Sequence, residues 1–346
     1  MIHRYNATSS VAPFLSIAVT SYNRVHELHR CLASIDSSQY EAIEIVISED
    51  CSPAQQAIKE MVEGFSHLSP YRITFNVNEI NLGYDRNLGQ LITLAEGRYV
   101  LFMSDDDSFI SGALDRLLTA LWATNTPLAF SPFFDHSCNA YSRNFDHDFF
   151  IHPTIPDVSK YIYCSILFSG LIFHKSTIVD YESARFKDLL YFQVYLFASV
   201  LGKHGGHYFN IPLVNCNGDG QNAFGTSELG DHNAFLADRK SLFSNLEYHK
   251  GLIQVLKLYD TDNGTHLLKE FSKEYSLRSY SGLARARKSG KDALDIFWKR
   301  MNNLDITITW TAKAYYYTLR LLGYTLTAFC LSAPKHMLSL YRRKSH

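Results

Sequence analysis

The sequence has no GxxxxGK[ST] loop and no GxGxxG, so neither of the common glycine-rich phosphate cradles is available to it. Its six cysteines, Cys31, Cys51, Cys138, Cys164, Cys216 and Cys330, form no CxxC pair. That argues against a zinc knuckle and for reduced thiols rather than a disulfide framework. Charge of either sign is not in excess: the formal net charge is -1, which speaks against a general polyanion binder. No basic stripe alternates with aromatics in the first half, so nucleic acid is not an expected partner. The start, MIHRYNATSS, is short and polar, with no long apolar run after a basic one, so no secretory signal is expected and the reading is cytoplasmic.

What is present is enough apolar matter for a substantial core: 346 residues, 46% hydrophobic and 14% aromatic. Short apolar runs alternate with segments of helical period. Residues 14–20 (FLSIAVT) read as a strand, and Val25, Leu28, Leu32 and Ile35 then recur at helical spacing. Residues 43–48 read as a second strand, after which Ser52 and Pro53 supply an N-cap and a first helical residue for a helix carrying Ile58, Met61, Val62 and Phe65. Residues 72–77 and 98–103 read as strands on either side of a helix over 86–95. Ser111 is the expected cap of a helix carrying Leu114, Leu117, Leu118 and Leu121, ahead of a strand at 128–131. Repeated β-α units predict a parallel sheet, and in open α/β sheets ligands sit outside the carboxyl ends of the strands. Polar residues collect at those ends: Thr20, Tyr22 and Arg24, then Glu49 and Asp50, then Asn81, Gly83, Asp85 and Arg86, then Asp105, Asp106 and Asp107.

Residues 133–156 read as an irregular insertion, 165–174 as a strand, 189–201 as an apolar helix, and 210–216 as a strand opening into the loop NGDGQNAFG. From residue 227 the pattern becomes helical, which sets expected domains at 1–226 and 227–346. The segment from Trp310 mixes aromatics and leucines with Lys313, Arg320 and Lys335, and ends in Arg342, Arg343 and Lys344. Arg320 and Pro334 interrupt it too much for a spanning helix, whereas aromatics with basic flanks suit a helix lying on a membrane surface. A helix packed on the first domain is the alternative.

Three adjacent carboxylates resist joint ionisation unless a cation or donors offset the repulsion. Mg²⁺ or Mn²⁺ commonly uses one or two protein carboxylates together with substrate phosphates, and it can stabilise charge developing on a departing diphosphate. The stretches SIAVTSYNR, EIVISEDCS and NLGYDRNLGQLITLAEGRYVLFMSDDD resemble the successive motifs of the inverting family-2 nucleotide-sugar glycosyltransferases of GT-A fold. SILFSGLIF and FNIPLVNCNGDGQNAF resemble the abequosyltransferase-like branch, which attaches dideoxyhexoses during bacterial O-antigen assembly.

The resemblance implies an α/β, Rossmann-like, mostly parallel sheet flanked by helices, with a helical C-terminal region. It implies a CDP- or UDP-linked sugar donor, a glycan or lipid-linked oligosaccharide acceptor, and a peripheral place on the inner face of the bacterial cytoplasmic membrane. Thr20, Tyr22, Arg24, Glu49, Asp50, Arg86 and Asp105 would bind the donor, and Asp106, with Asp105, would hold Mn²⁺ or Mg²⁺. Ser104 stands where the family's acidic motif has its first aspartate. The general base expected before a helix in the second half falls on Asp188, where Lys187 replaces the usual glutamate; Asp219, Asp231 and His232 are reserves. A metal-dependent phosphoryl-transfer enzyme and an inactive nucleotide-sugar-binding homologue stay open as alternatives. The first weakens because the first strand ends in TSYNR, without a carboxylate.

Overall fold

A computed structural model describes residues 1–6, 12–186, 189–219 and 242–344, with backbone alone at 244–245 and 330–344. The chain divides into two compact units, Met1–Leu236 and Ala237–His346. The first runs β1 (Ile2–Tyr5), β2 (Leu15–Ser21), α1 (Val25–Ala33), β3 (Ile43–Glu49), α2 (Gln55–Leu68), β4 (Arg72–Val77), α3 (Tyr84–Leu94), β5 (Tyr99–Ser104), β6 (Ser108–Phe109) and α4 (Ala113–Thr124). It continues through β7 (Leu128–Phe130), β8 (Phe133–Asp135), β9 (Ala140–Ser142), β10 (Phe149–Ile151), α5 (Ile155–Tyr161), β11 (Leu171–His174), α6 (Phe192–His204), β12 (Gly206–Tyr208) and β13 (Val214–Cys216).

One sheet has nine strands in the order β1-β4-β3-β2-β5-β11-β7-β12-β10, and a second has four, β6-β13-β8-β9. Strands β4, β3, β2 and β5 are mutually parallel, as the alternation of apolar runs and helices predicts. Strands β1 and β11 flank them antiparallel. This is a mixed α/β, Rossmann-like sheet with helices packed on it, and it agrees with the GT-A arrangement expected. Every residue of β5 is buried, which is why it reads as a continuous apolar run up to Ser104 and not as an alternating one; β3 is buried throughout as well, but encloses Glu44 and Ser48 among its apolar residues. Leu28, Cys31 and Leu32 of α1, Ile58 and Val62 of α2, and Leu114, Leu117, Leu118 and Leu121 of α4 join one core with β2, β3, β4 and β5. From β2 the chain adds β3 and β4 on one side and then returns to lay β5 on the other, so the strand order reverses between the carboxyl ends of β2 and β5. Ligands of open α/β sheets bind at such a point.

Several local expectations are displaced. Helix α2 begins at Gln55 with Ala54 at its cap, not at Ser52 and Pro53: Cys51 sits at φ 54, and the Ser52 amide donates to Glu49 Oε1 at 2.9 Å, so a turn forms first. Ser111 caps nothing, because Gly112 takes the cap of α4 at φ 68. Of the strand expected at 165–174, Leu171–His174 is extended; Ile162–Ser165 is a 3-10 turn, and Gly170 turns the chain at φ 78. The insertion at 133–156 holds three short strands, and β1 lies in the polar N-terminal stretch that carried no strand signal.

In the second unit every described element is a helix: α7 (Ser244–Asn263), α8 (Leu267–Arg278), α9 (Tyr280–Lys288), α10 (Lys291–Asn302) and α11 (Trp310–Lys344). Asp260 near the end of α7 accepts from the Leu267 and Leu268 amides, satisfying the open start of α8. Helix α11 is broken at Gly323, where φ is 77 and ψ is 178. Among the described residues no helix is long and apolar enough to cross a membrane.

Candidate active site

Thr20 of β2 and Ser104 of β5 are register partners, so the segments leaving the two strands emerge side by side. The Tyr22 amide donates to Asp105 Oδ2 at 3.2 Å, and Arg24 Nη1 donates to Asp105 Oδ1 at 2.7 Å. The same Nη1 lies 3.3 Å from Asp106 Oδ2. Thus Thr20, Tyr22, Arg24, Asp105 and Asp106, all singled out in the sequence, converge at the switch point.

The three carboxylates are unequal. Both oxygens of Asp105 already accept hydrogen bonds, and its side chain is 3% exposed against 13% for Asp106. Asp107 Oδ2 accepts from the Ser169 hydroxyl and Oδ1 from the Asn217 amide at 3.2 Å. Burial pushes Asp105 up to about 7 even with Arg24 beside it. It lifts Asp107 to about 6 against the lowering effect of the Ser169 hydroxyl. Asp106 is the most accessible of the three, and its Oδ1 accepts from the Ser104 hydroxyl. Serine in place of an aspartate therefore supplies a donor where a further negative charge would have stood.

Among the described residues no group of three or more His, Cys, Asp or Glu side chains forms a metal cage. The donor set fits a hard divalent cation in another way: a partly accessible carboxylate, Asp106, with substrate phosphate and water oxygens completing the shell. A cation there would also offset the repulsion that crowds Asp105, Asp106 and Asp107.

Asp50 has a different setting. Its Oδ1 accepts from Asn78 Nδ2 and the Leu82 amide, each at 2.8 Å, and its Oδ2 accepts from the Gly83 amide at 2.9 Å. The carboxylate thus shapes the 78–83 loop at the end of β4, and Glu49 braces the adjacent turn through Ser52. Burial raises the Glu49 carboxyl above the usual glutamate range. Arg86 stands in the first turn of α3, directly after that loop, and its Nε is buried without a hydrogen-bond partner among the described residues. Asp188 lies outside the described residues, as do Asp231 and His232. Asp219 is described, and both its oxygens accept from Arg30, at 2.7 Å each.

Four residues that the sequence did not single out complete the setting. Arg30 Nη2 donates to the Asp106 carbonyl at 2.7 Å while its other bonds hold Asp219. Asn217 Nδ2 donates to the same carbonyl at 3.0 Å. Ser169 Oγ accepts from the Ser104 amide at 3.1 Å, and Arg143 holds the 167–170 turn through the carbonyls of Leu167 and Ser169. The loop signal at NGDGQNAFG could have pointed to Asn217, and Ser169 beside Gly170 marks a turn; nothing local distinguishes Arg30 or Arg143.

The description "Glycosyl transferase family 2" matches residues 16–176, the stretch that contains this arrangement. The matched segment, a little under half of the chain, is similar to family-2 glycosyltransferases. A putative colanic acid biosynthesis glycosyl transferase, WcaA, of Escherichia coli is 31% identical over 106 residues, covering 31% of this chain and 37% of that protein. The abequosyltransferase RfbV of Salmonella typhimurium is 24% identical over 224 residues, 59% of this chain and 67% of that one. Among solved structures, TarS of Staphylococcus aureus superposes with a TM-score of 0.54 at 14% identity, over 89% of this chain and 55% of the other. The mannosyltransferase PcManGT of Pyrobaculum calidifontis, solved with GDP-Man and Mn²⁺, gives 0.51 at 14% identity, over 91% and 88%. These likenesses establish a shared fold, and the match to the first curated relative spans little more than a third of its length.

Proposed function

We propose that the chain is a divalent-cation-dependent, inverting glycosyltransferase that moves a sugar from a CDP- or UDP-linked donor to a hydroxyl of a glycan or lipid-linked oligosaccharide in bacterial surface polysaccharide synthesis. The observation that carries this reading is the convergence of Tyr22, Arg24, Asp105 and Asp106 at the β2–β5 switch point, inside the family-2 segment. In this reading Arg24 and Asp105 set the position of the donor's nucleotide half, Arg86 offers its buried Nε as a donor, and Asp106 holds Mn²⁺ or Mg²⁺. A cation held there would supply Lewis-acid stabilisation of the negative charge on a leaving diphosphate. Asp188 takes the proton from the acceptor hydroxyl as that oxygen attacks the anomeric carbon opposite the diphosphate. Glu49 and Asp50 act by fixing the loops around the nucleotide, since Asp50's carboxylate oxygens are engaged by Asn78, Leu82 and Gly83. The partial likeness to an abequosyltransferase supports a deoxy- or dideoxyhexose as the transferred sugar.

The C-terminal unit is assigned to the membrane surface, with exposed Trp310, Tyr317 and Leu321 as the contact. That contact would keep the enzyme at the inner face of the cytoplasmic membrane, where a lipid-linked acceptor is presented.

The deciding experiment is a thermal-shift panel of UDP, CDP and GDP, each with Mn²⁺, with Mg²⁺ and with chelator. Ligand that binds only the native state raises its apparent stability. A rise with UDP or CDP that requires the cation supports the reading. Equal stabilisation in chelator would remove the metal assignment, and no stabilisation by any nucleotide would remove the transferase reading.

A further inference from the structure

The small second sheet grows directly out of the acidic turn, because its first strand, β6, begins at Ser108, the residue after Asp107. Its registers are Ser108↔Asn215, Asn215↔Phe134 and Phe134↔Tyr141. Partners in register point to one face of a sheet, so these four side chains form a single row across all four strands. The neighbouring row, Phe109, Val214 and Phe133, faces the other way: Phe109 and Val214 belong to the core, and Phe133 packs against it. The Ser108–Tyr141 row is therefore the face turned away from the core. Along it Ser108, Asn215 and Phe134 are half-buried, and Tyr141 at the far edge is 47% exposed.

Composition changes along the row in a definite direction. Next to the carboxylates it is polar, with Ser108 and the Asn215 amide. Further out it is aromatic: Phe134 and Tyr141 meet edge to face with centroids 5.2 Å apart, and exposed His136 packs edge-on to Phe134 at 4.9 Å. With strands about 4.8 Å apart, the row runs roughly 14 Å from β6 to β9.

We propose that this row is an acceptor subsite that binds pyranose rings of a glycan, with the hydroxyl to be glycosylated at the acidic turn and the remainder of the chain lying outward over Phe134 and Tyr141. The inference rests on the glycosyltransferase reading and deepens it. A pyranose has a face of C–H bonds and a rim of hydroxyls. The negative face of an aromatic ring attracts the C–H hydrogens, while serine and asparagine exchange hydrogen bonds with the rim. Continuity with the acidic turn distinguishes the row from an isolated surface aromatic: Asn217, two residues beyond Asn215 on the same segment, donates both to Asp107 and to the Asp106 carbonyl. A sugar seated on the row is thus held by the chain segment that positions the candidate metal carboxylate.

The test is saturation-transfer NMR on the full chain with a panel of methyl α- and β-glycosides of glucose, galactose and mannose at millimolar concentration. We expect transfer to the ring C–H protons of at least one glycoside. It should fall to background in Tyr141→Ala and persist in Tyr141→Phe and Tyr141→Trp, which keep the ring. Circular dichroism and thermal midpoint establish that each variant is folded. No transfer to any glycoside in the wild type, or transfer that survives Tyr141→Ala, overturns the subsite. UDP and CDP binding with Mn²⁺ is measured on the same samples, so failure of the transferase reading, which removes nucleotide binding, is seen separately from failure of the row.

Discussion

Asp106 and Glu44 are both carboxylates buried at the sheet, and the groups around them give them opposite expectations. Asp106 keeps partial access to solvent and sits against Arg24, so Asp106→Ala is expected to leave the thermal midpoint nearly unchanged and to lower sugar transfer by roughly 100-fold or more. Turnover of a radiolabelled nucleotide sugar measures this, and retained turnover would sink the metal assignment. Glu44 is fully enclosed in β3, where Oε1 accepts from the Ser16 hydroxyl, the Glu96 amide at 2.6 Å and the Gly97 amide at 3.1 Å. Burial still holds its carboxyl above the usual value of 4.5. A carboxyl raised in the folded state keeps its proton there to higher pH than in the unfolded chain. Its contribution is therefore complete below 4.5 and is lost as pH rises through the folded value. Glu44→Gln keeps an acceptor for the three donors and cannot ionise, so the wild type should lose stability relative to this variant as pH rises above 4.5. Urea melts across pH read the difference; a pH-independent gap would show that Glu44 stays in one charge state. The acidic triplet and the Thr20–Arg24 segment were legible in the sequence because each lies next to a strand end. The contacts that Arg30, Ser169 and Asn217 make with the acidic turn were not, because they join residues 62 to 111 apart in the chain, brought together only by the fold.

Helices supply the clearest example of one element fixing another. Asp85, in the first turn of α3, accepts at 2.8 Å from the amides of Leu190 and Phe192, the second of which opens α6. The opening amide of α6 is thus satisfied by a carboxylate 107 residues upstream. For that reason the apolar period alone set the helix at 189, three residues early: Leu190 is held at φ 59 by this contact, and the turn it makes delays the helix to Phe192. Asp85→Ala leaves two amides without that acceptor and should cost about 1–2 kcal/mol, measured by urea unfolding. In the proposed reaction the base, Asp188, directly precedes the 189–192 turn, so sugar transfer should fall by more than the loss of folded protein accounts for. Equal rates in wild type and variant would separate that turn from catalysis. Strand positions were read more closely than helix starts, since burial on both faces writes an apolar run into β5 and a mostly apolar one into β3, whereas cap residues depend on turns such as those at Cys51 and Gly112.

At the scale of the molecule, the apolar surface that the first unit hides in its core finds a counterpart left outside on the second. In α11, Ala312, Tyr316 and Leu319 are buried within the helical unit, and Tyr316 stacks on Trp298 with centroids 4.5 Å apart and hydrogen-bonds Asp295. That fixes the rotation of the helix and turns Trp310, Ala314, Tyr317 and Leu321, spaced at four, three and four residues, toward solvent, with Lys313 beside them. Past the break at Gly323, Leu326 and Phe329 are exposed as well. Leu321 at 79% and Phe329 at 69% exposure are costly in water unless something apolar covers them. In the proposed membrane contact, the exposed apolar positions between 310 and 329 would enter the headgroup boundary, and exposed Lys313 would favour anionic lipid. The full chain should therefore sediment with vesicles of phosphatidylglycerol and phosphatidylethanolamine, and less with phosphatidylcholine alone. Leu321→Glu should weaken that partition by about tenfold, the loss expected when one buried leucine is replaced by a charge, while the thermal midpoint stays unchanged. Cosedimentation at matched ionic strength measures it. Partition indifferent both to the substitution and to lipid charge would show that this face meets something other than a membrane.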